Sequence, residues 1–189
     1  MKKIIQKRIF DSAKIIKKSA QLSNNIEKAV IMICDCVIEG NKIYLFGNGG
    51  SAADAQHIAA ELIGRYKMER KSIPAISLNT DTSILTSVAN DYSFNKIFSR
   101  QCEGLVNQDD VIIAISTSGN SKNVLNGIIS AKKKGAKTIG LLGKNGGSIA
   151  NLVDIPLIVD SCSTARIQEA HRVIYHIICE LVEKELSKW

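Results

Sequence analysis

The 189-residue chain has no apolar run long enough to cross a bilayer, which excludes a spanning helix. Its first eight residues, Met1 to Arg8, are basic but lack an uninterrupted apolar core, so they do not read as a signal peptide. No internal repeat, low-complexity tract or linker interrupts it, and one domain over residues 1–189 is expected. Only two prolines occur, Pro74 and Pro156, both at the starts of apolar runs where a missing donor is tolerated. The five cysteines (Cys34, Cys36, Cys102, Cys162 and Cys179) form no C-x-x-C pair and no zinc-finger spacing. An odd, unpatterned set reads as reduced, mostly buried thiols in a reducing compartment, and a cytoplasmic location is expected.

What is present is an alternation of short apolar runs with helical patterns. The runs lie at 42–46, 75–78, 110–115, 138–142 and 155–159. Strands separated by helices predict an α/β fold, a doubly wound five-stranded parallel sheet covered on both faces. Two amphipathic helices, about 2–20 and 24–39, precede it, with Ser23 or Asn24 placed to cap the second. The last helix is expected from Ala165 to Leu186. Its stripe of Ile167, Val173, Ile174, Ile177, Ile178, Leu181 and Val182 is wide for one helix on one sheet, which suggests self-association through a helix bundle. The formal charge of +7 suits an anionic ligand. It is diffuse, and Lys132, Lys133 and Lys134 end a helix just before Gly135, where they compensate a dipole. Nucleic acid is therefore not an expected partner.

Two polar loops carry the chemistry. Gly47-Asn48-Gly49-Gly50-Ser51 follows the first strand, and Ser116-Thr117-Ser118-Gly119-Asn120-Ser121 follows the third. Small residues at a strand-to-helix turn surround an anion with N–H groups and hydroxyls, and the helix N-terminus adds partial positive charge. Both loops should lie at the carboxyl edge of the sheet, where such folds bind ligands. One capping residue would suffice for a helix, whereas the second loop offers four hydroxyls, so it reads as a phosphate cradle. Residues 47–52 also fit the relaxed dinucleotide pattern G-x-G-x-x-A. That pattern wants an acidic residue at the end of the next strand, where Asn79 and Thr80 stand and Asp81 comes late. Further on, His57 and Glu61 are spaced i,i+4 and share a helix face, a spacing that permits joint metal binding. All three histidines, His57, His171 and His176, lie on this helix and the last one.

Five motifs together resemble the phosphoheptose isomerases of the sugar-isomerase (SIS) superfamily. They are Gly47-Asn48-Gly49-Gly50-Ser51, Asp54-Ala55-x-His57-x-x-x-Glu61-Leu62, Ala89-Asn90-Asp91-Tyr92, Ile115-Ser116-Thr117-Ser118-Gly119-Asn120-Ser121 and Arg166-Ile167-Gln168-Glu169-x-His171. The resemblance covers nearly the whole chain and implies a flavodoxin-like SIS fold with the helices of residues 1–40 used in oligomer packing. It implies aldose–ketose isomerisation of sedoheptulose 7-phosphate through an enediol, on the way to nucleotide-activated heptose for lipopolysaccharide or capsule. It further implies a homotetramer and one Zn2+ per subunit. By motif, His57, Glu61, Gln168 and His176 match the zinc ligands, and Glu61 and His176 the acid/base pair. Asn48, Gly49, Gly50, Ser51, Glu61, Asn90, Asp91, Ser116, Thr117, Ser118, Ser121 and Gln168 match substrate-holding positions. The alternatives are a non-catalytic adaptor of the bacterial replication initiator, which need not keep the metal and acid/base set that this chain keeps, and an isomerase or sensor for another phosphosugar.

The chemistry matches the residue types. A carboxylate such as Glu61 can take the C–H proton, an imidazole such as His176 can carry protons between oxygens, and zinc can polarise the carbonyl. A tightly ligated group is a poor proton carrier, so either Glu61 or His176 is expected to leave the metal during turnover. Gln168 and His176 are eight residues apart, about 12 Å along a regular helix. The ligand set is therefore expected to be completed across a subunit interface or by a bend in the helix. His171 is expected to make a polar contact on the last helix.

Overall fold

The computed structural model describes residues 1–188. Five strands, β1 (Ile43–Gly47), β2 (Ala75–Ser77), β3 (Val111–Ser116), β4 (Lys137–Gly143) and β5 (Ile155–Val159), form one parallel sheet in the order β2-β1-β3-β4-β5. The expected architecture is thus observed, with boundaries moved by one residue at several ends. The alternation of β1 shows why both faces are covered: Ile43 and Leu45 point to one apolar layer, Tyr44 and Phe46 to the other. Helices α2 (Ser23–Ile38), α3 (Gly50–Ile63) and α7 (Thr164–Leu186) pack on the first face. Helices α5 (Ile97–Leu105) and α6 (Lys122–Lys133) pack on the second, where Phe46 stacks on Phe98 at 4.8 Å.

The two N-terminal helices differ from expectation in one respect. Neither Ser23 nor Asn24 caps α2. Helix α1 (Lys2–Ser19) runs through a single 3-10 turn (Ala20–Leu22) into α2, and Ser23 is already helical at φ −50°, ψ −45°. A side chain can cap only where the backbone has left the helical region. Helix α1 buries none of its residues, and Ile4, Ile5, Ile9 and Phe10 face outward. Four of the five cysteines are buried, as expected, and Cys162 is exposed. Burial pushes the Cys102 and Cys179 thiols up to about 12, which leaves them unreactive.

The C-terminal end of α3 is fastened to α7 by a buried ion pair. The Arg70 guanidinium donates to the carbonyls of Glu61, Leu62 and Gly64, which the end of α3 leaves without intrahelical partners. Its Nε lies 3.3 Å from Oε1 of Glu183 on α7, with both side chains almost wholly buried at 6% and 1% exposure. The Glu183 carboxylate also accepts from the backbone N–H groups of Tyr66, Lys67 and Met68. Burial alone would raise its pKa. The three N–H donors and Arg70 outweigh burial and hold it below the usual carboxylate range.

A depressed folded pKa contributes stability above the unfolded value, and that stability is lost as pH falls through the folded one. Glu183→Gln is therefore expected to cost about 3 kcal/mol at neutral pH. The gap from the parent protein should narrow as pH falls below about 4. Urea unfolding across a pH series checks this, and a gap independent of pH would remove the assignment.

Candidate active site

The site begins at the sheet's switch point. Chain order reverses between β1 and its neighbour β3, so the loops that leave these strands lie side by side at the carboxyl edge. Asn48 in the first loop and Asn123 at the start of α6 exchange amide hydrogen bonds of 2.9 and 2.8 Å and tie the two loops together. Asn79 continues the pattern on the other side, donating to the Gly47 carbonyl and accepting from the Gly47 N–H. Gly49 takes φ +55°, ψ −119°, a conformation open to glycine, and so turns the chain into α3.

In the second loop Ser116 Oγ lies 3.1 Å from Ser121 Oγ and 3.4 Å from Ser118 Oγ. The loop is braced from behind by residues 146–149. Ile149 N–H donates to the Gly119 carbonyl, and Ser148 N–H to Asn120 Oδ1. Any side chain at Gly119 would run into the Gly146 carbonyl. Converging hydroxyls on a braced turn that opens a helix suit an anion. The late acidic residue of the dinucleotide pattern has another use, since Asp81 caps helix α4 (Thr82–Asp91) through the N–H of Ile84 at 2.9 Å.

The second half of the site lies between α3 and α7. His57 Nε2 is 2.9 Å from Glu61 Oε1, and ligand atoms of His57, Glu61 and His176 lie within 4.8 Å of one another. Three half-buried groups with imidazole and carboxylate donors at this spacing can hold a metal ion. The fold brings them together because Asp54, His57 and Glu61 form one stripe of α3, facing Arg172, Tyr175, His176 and Cys179 on α7. The His57 and His176 rings are 5.2 Å apart, and Tyr66 stacks on His176 at 5.7 Å. Burial foremost, then the neighbouring His57, lowers the His176 pKa and favours its neutral form.

Gln168 is placed differently. Both Gln168 and His176 lie on the one unbroken helix α7. The Gln168 amide lies against Gly50, the first residue of α3. Gly50 is seven residues, about 10 Å, before His57 along that helix. Asn90 and Asp91 bond to each other at the exposed end of α4, and among the described residues no hydrogen bond joins them to either loop. His171 is fully buried and makes a polar contact, as expected, with its Nε2 3.0 Å from the Leu142 carbonyl. Sequence reasoning gave no role to Tyr175, Arg172, Arg70, Glu183 or Asn79. The spacing Asp54–His57–Glu61 was a usable signal for the α3 stripe; the others are joined only by the tertiary fold.

Residues 10–143 match the SIS domain family. The chain is 57% identical to the phosphoheptose isomerase of Citrifermentans bemidjiense over 88% of this chain and 86% of that protein. It is 52% identical to the phosphoheptose isomerase of Sulfurimonas denitrificans over 98% and 97%. This chain belongs to the phosphoheptose isomerases. Its fold agrees with solved phosphoheptose isomerases from Neisseria gonorrhoeae (TM-score 0.92, 37% identity, 97% of this chain and 98% of that one) and Francisella tularensis (TM-score 0.93, 34% identity, 96% and 97%). It is accordingly an enzyme of the aldose–ketose isomerase class.

A Cβ at Gly50 would collide with the amide end of Gln168, which is flexible and can move. Gly50→Ala is therefore expected to keep the melting temperature within a few degrees yet lower turnover about tenfold or more. Parallel thermal melts and rate assays check this, and unchanged turnover would show that the Gln168 position is immaterial.

Proposed function

We propose that the chain interconverts sedoheptulose 7-phosphate and D-glycero-D-manno-heptose 7-phosphate through an enediol, the first step toward nucleotide-activated heptose. The observation that carries this reading is the convergence of His57, Glu61 and His176 in a chain that also presents a braced hydroxyl loop at the carboxyl edge of its sheet. Ser116, Thr117, Ser118 and Ser121, with the N-terminus of α3 at Gly49, Gly50 and Ser51, would hold the phosphate. Fixing that end leaves the reacting carbons to be placed by Gln168, Asn90 and Asp91. The Asn48 side chain is engaged by Asn123, so its part is to fix the loop.

Glu61 takes the proton from the carbon that carries it and returns it to the neighbouring carbon. His176, kept neutral by its surroundings, moves the proton between the two sugar oxygens. His57, Glu61 and His176 would hold Zn2+, which supplies polarisation of the carbonyl when bound. Three protein ligands leave a fourth position open, as in catalytic zinc sites. The Gln168 amide, which lies against Gly50 in this chain, would complete the set from a second copy.

A homotetramer fits the uncovered apolar face of α1 and the groove lined by Ile16, Ile26, Val173, Ile177 and Leu181. In this reading residues 1–189 form one SIS domain whose first 40 residues pack against other copies. Among the described residues no helix is long and apolar enough to cross a membrane. Four unreactive, unpaired thiols fit a cytoplasmic setting.

Proton NMR of sedoheptulose 7-phosphate with the protein in D2O tests the reaction. An aldose anomeric signal is expected with the parent protein and absent with Glu61→Ala. No conversion with zinc supplied would overturn the substrate assignment. Since Glu61 and His176 meet within one chain, mixing Glu61→Ala with His176→Ala should restore nothing. Mixing Gln168→Ala with His176→Ala should restore about a quarter of the sites if Gln168 acts across an interface.

A further inference from the structure

The hydrogen bonds around His57 continue past the metal cluster into the protein. Tyr175 is 1% exposed, and its hydroxyl lies 3.1 Å from His57 Nδ1 and 3.3 Å from Asp54 Oδ1. Asp54 is itself 2% exposed, and its Oδ1 also lies 3.4 Å from Arg172 Nε. The geometry points to Tyr175, backed by Asp54, as the positioning residue that holds the His57 proton on Nδ1 and leaves the Nε2 lone pair for a metal ion.

A phenol has one proton to give and can also accept. Burial, then the nearby Asp54, raises the Tyr175 pKa, so the hydroxyl keeps its proton. Of its two neighbours, the carboxylate can only accept. The Tyr175 O–H therefore donates to Asp54, and its lone pair receives the N–H of His57 Nδ1. That tautomer turns the bare Nε2 toward Glu61 Oε1 at 2.9 Å. Two lone pairs at this distance repel, and a cation between them removes the conflict. An outer partner that fixes a ligating imidazole and raises its basicity usually changes metal affinity by about 10-fold to 100-fold. Here the chain is carboxylate, phenol, imidazole, metal.

This inference rests on the metal-site reading above, and one pair of measurements separates the two. Tyr175→Phe removes only the hydroxyl and keeps the ring, whose centroid lies 5.4 Å from that of His57 and 4.8 Å from that of His176. Competition with a chromophoric chelator for Zn2+ should show affinity lowered about 10-fold to 100-fold in the full-length variant, with the metal-free melting temperature lowered by only a few degrees for the lost Asp54 hydrogen bond. The second measurement is the 15N shift pair of His57 in metal-free, histidine-labelled protein at about pH 8.5, where imidazoles are neutral. With three histidines in the chain, assignment by single substitution is direct. The parent protein should show the Nδ1–H form, and Tyr175→Phe a mixture. An Nε2–H form in the parent, or equal zinc affinity in the variant, overturns the inference. No zinc binding by a parent in the Nδ1–H form would overturn the metal reading while supporting the role of Tyr175.

Discussion

The buried pair of Arg70 and Glu183 is the contact on which the site's second half depends. Arg70 takes the free carbonyls at the end of α3, and Glu183 binds Arg70 from α7. Two helices that pack by apolar side chains alone can slide by a turn, because ridges and grooves repeat. A charge pair buried at one end and joined to three backbone N–H groups has a single geometry. With the ends fixed, the positions one and two turns back are fixed as well. Glu61 and His57 on α3 then face His176 and Tyr175 on α7. The same carboxylate anchors the segment that carries Tyr66 onto the His176 ring. An ion pair at the opposite end of α3 from the polar loops thereby sets the spacing of the His57, Glu61 and His176 cluster.

The first half of the site has a different origin, since it follows from strand order. Once β1 and β3 are neighbours, their loops leave the same edge side by side, and small residues let the backbone come close to a ligand. This part was legible in the sequence because each loop is contiguous and each is bounded by an apolar run. The apolar runs at 42–46 and 110–115 lie one residue ahead of the strands they form. The i,i+4 pair of His57 and Glu61 was legible for the same reason, since helical spacing is a local property. Tyr175 and Asp54 were not, because their meeting depends on how α7 crosses α3. Helix α2 shows the opposite error. Ser23 looks like a cap by type, yet the chain reaches it already helical, and only the backbone path tells the two cases apart.

The structure also bears on the conflict between holding a metal and moving a proton. A carboxylate has two oxygens, and Glu61 turns Oε1 to His57. Its second oxygen is not committed by that contact, so one side chain can serve the cluster with one atom and a C–H proton with the other. An imidazole likewise has two nitrogens, and only one of them is needed by a metal. Were the proposed roles divided in this way between atoms of one residue, Glu61 and His176 could both stay in the cluster during turnover. The cost falls on precision: each ring and carboxylate must be held so that the right atom faces the right partner. For His57 that constraint comes from Tyr175 and Asp54, and for His176 from the flanking rings of Tyr66, His57 and Tyr175. Buried, directional contacts of this kind explain why the seam between α3 and α7 carries so many polar side chains in a region that could have been filled with leucine.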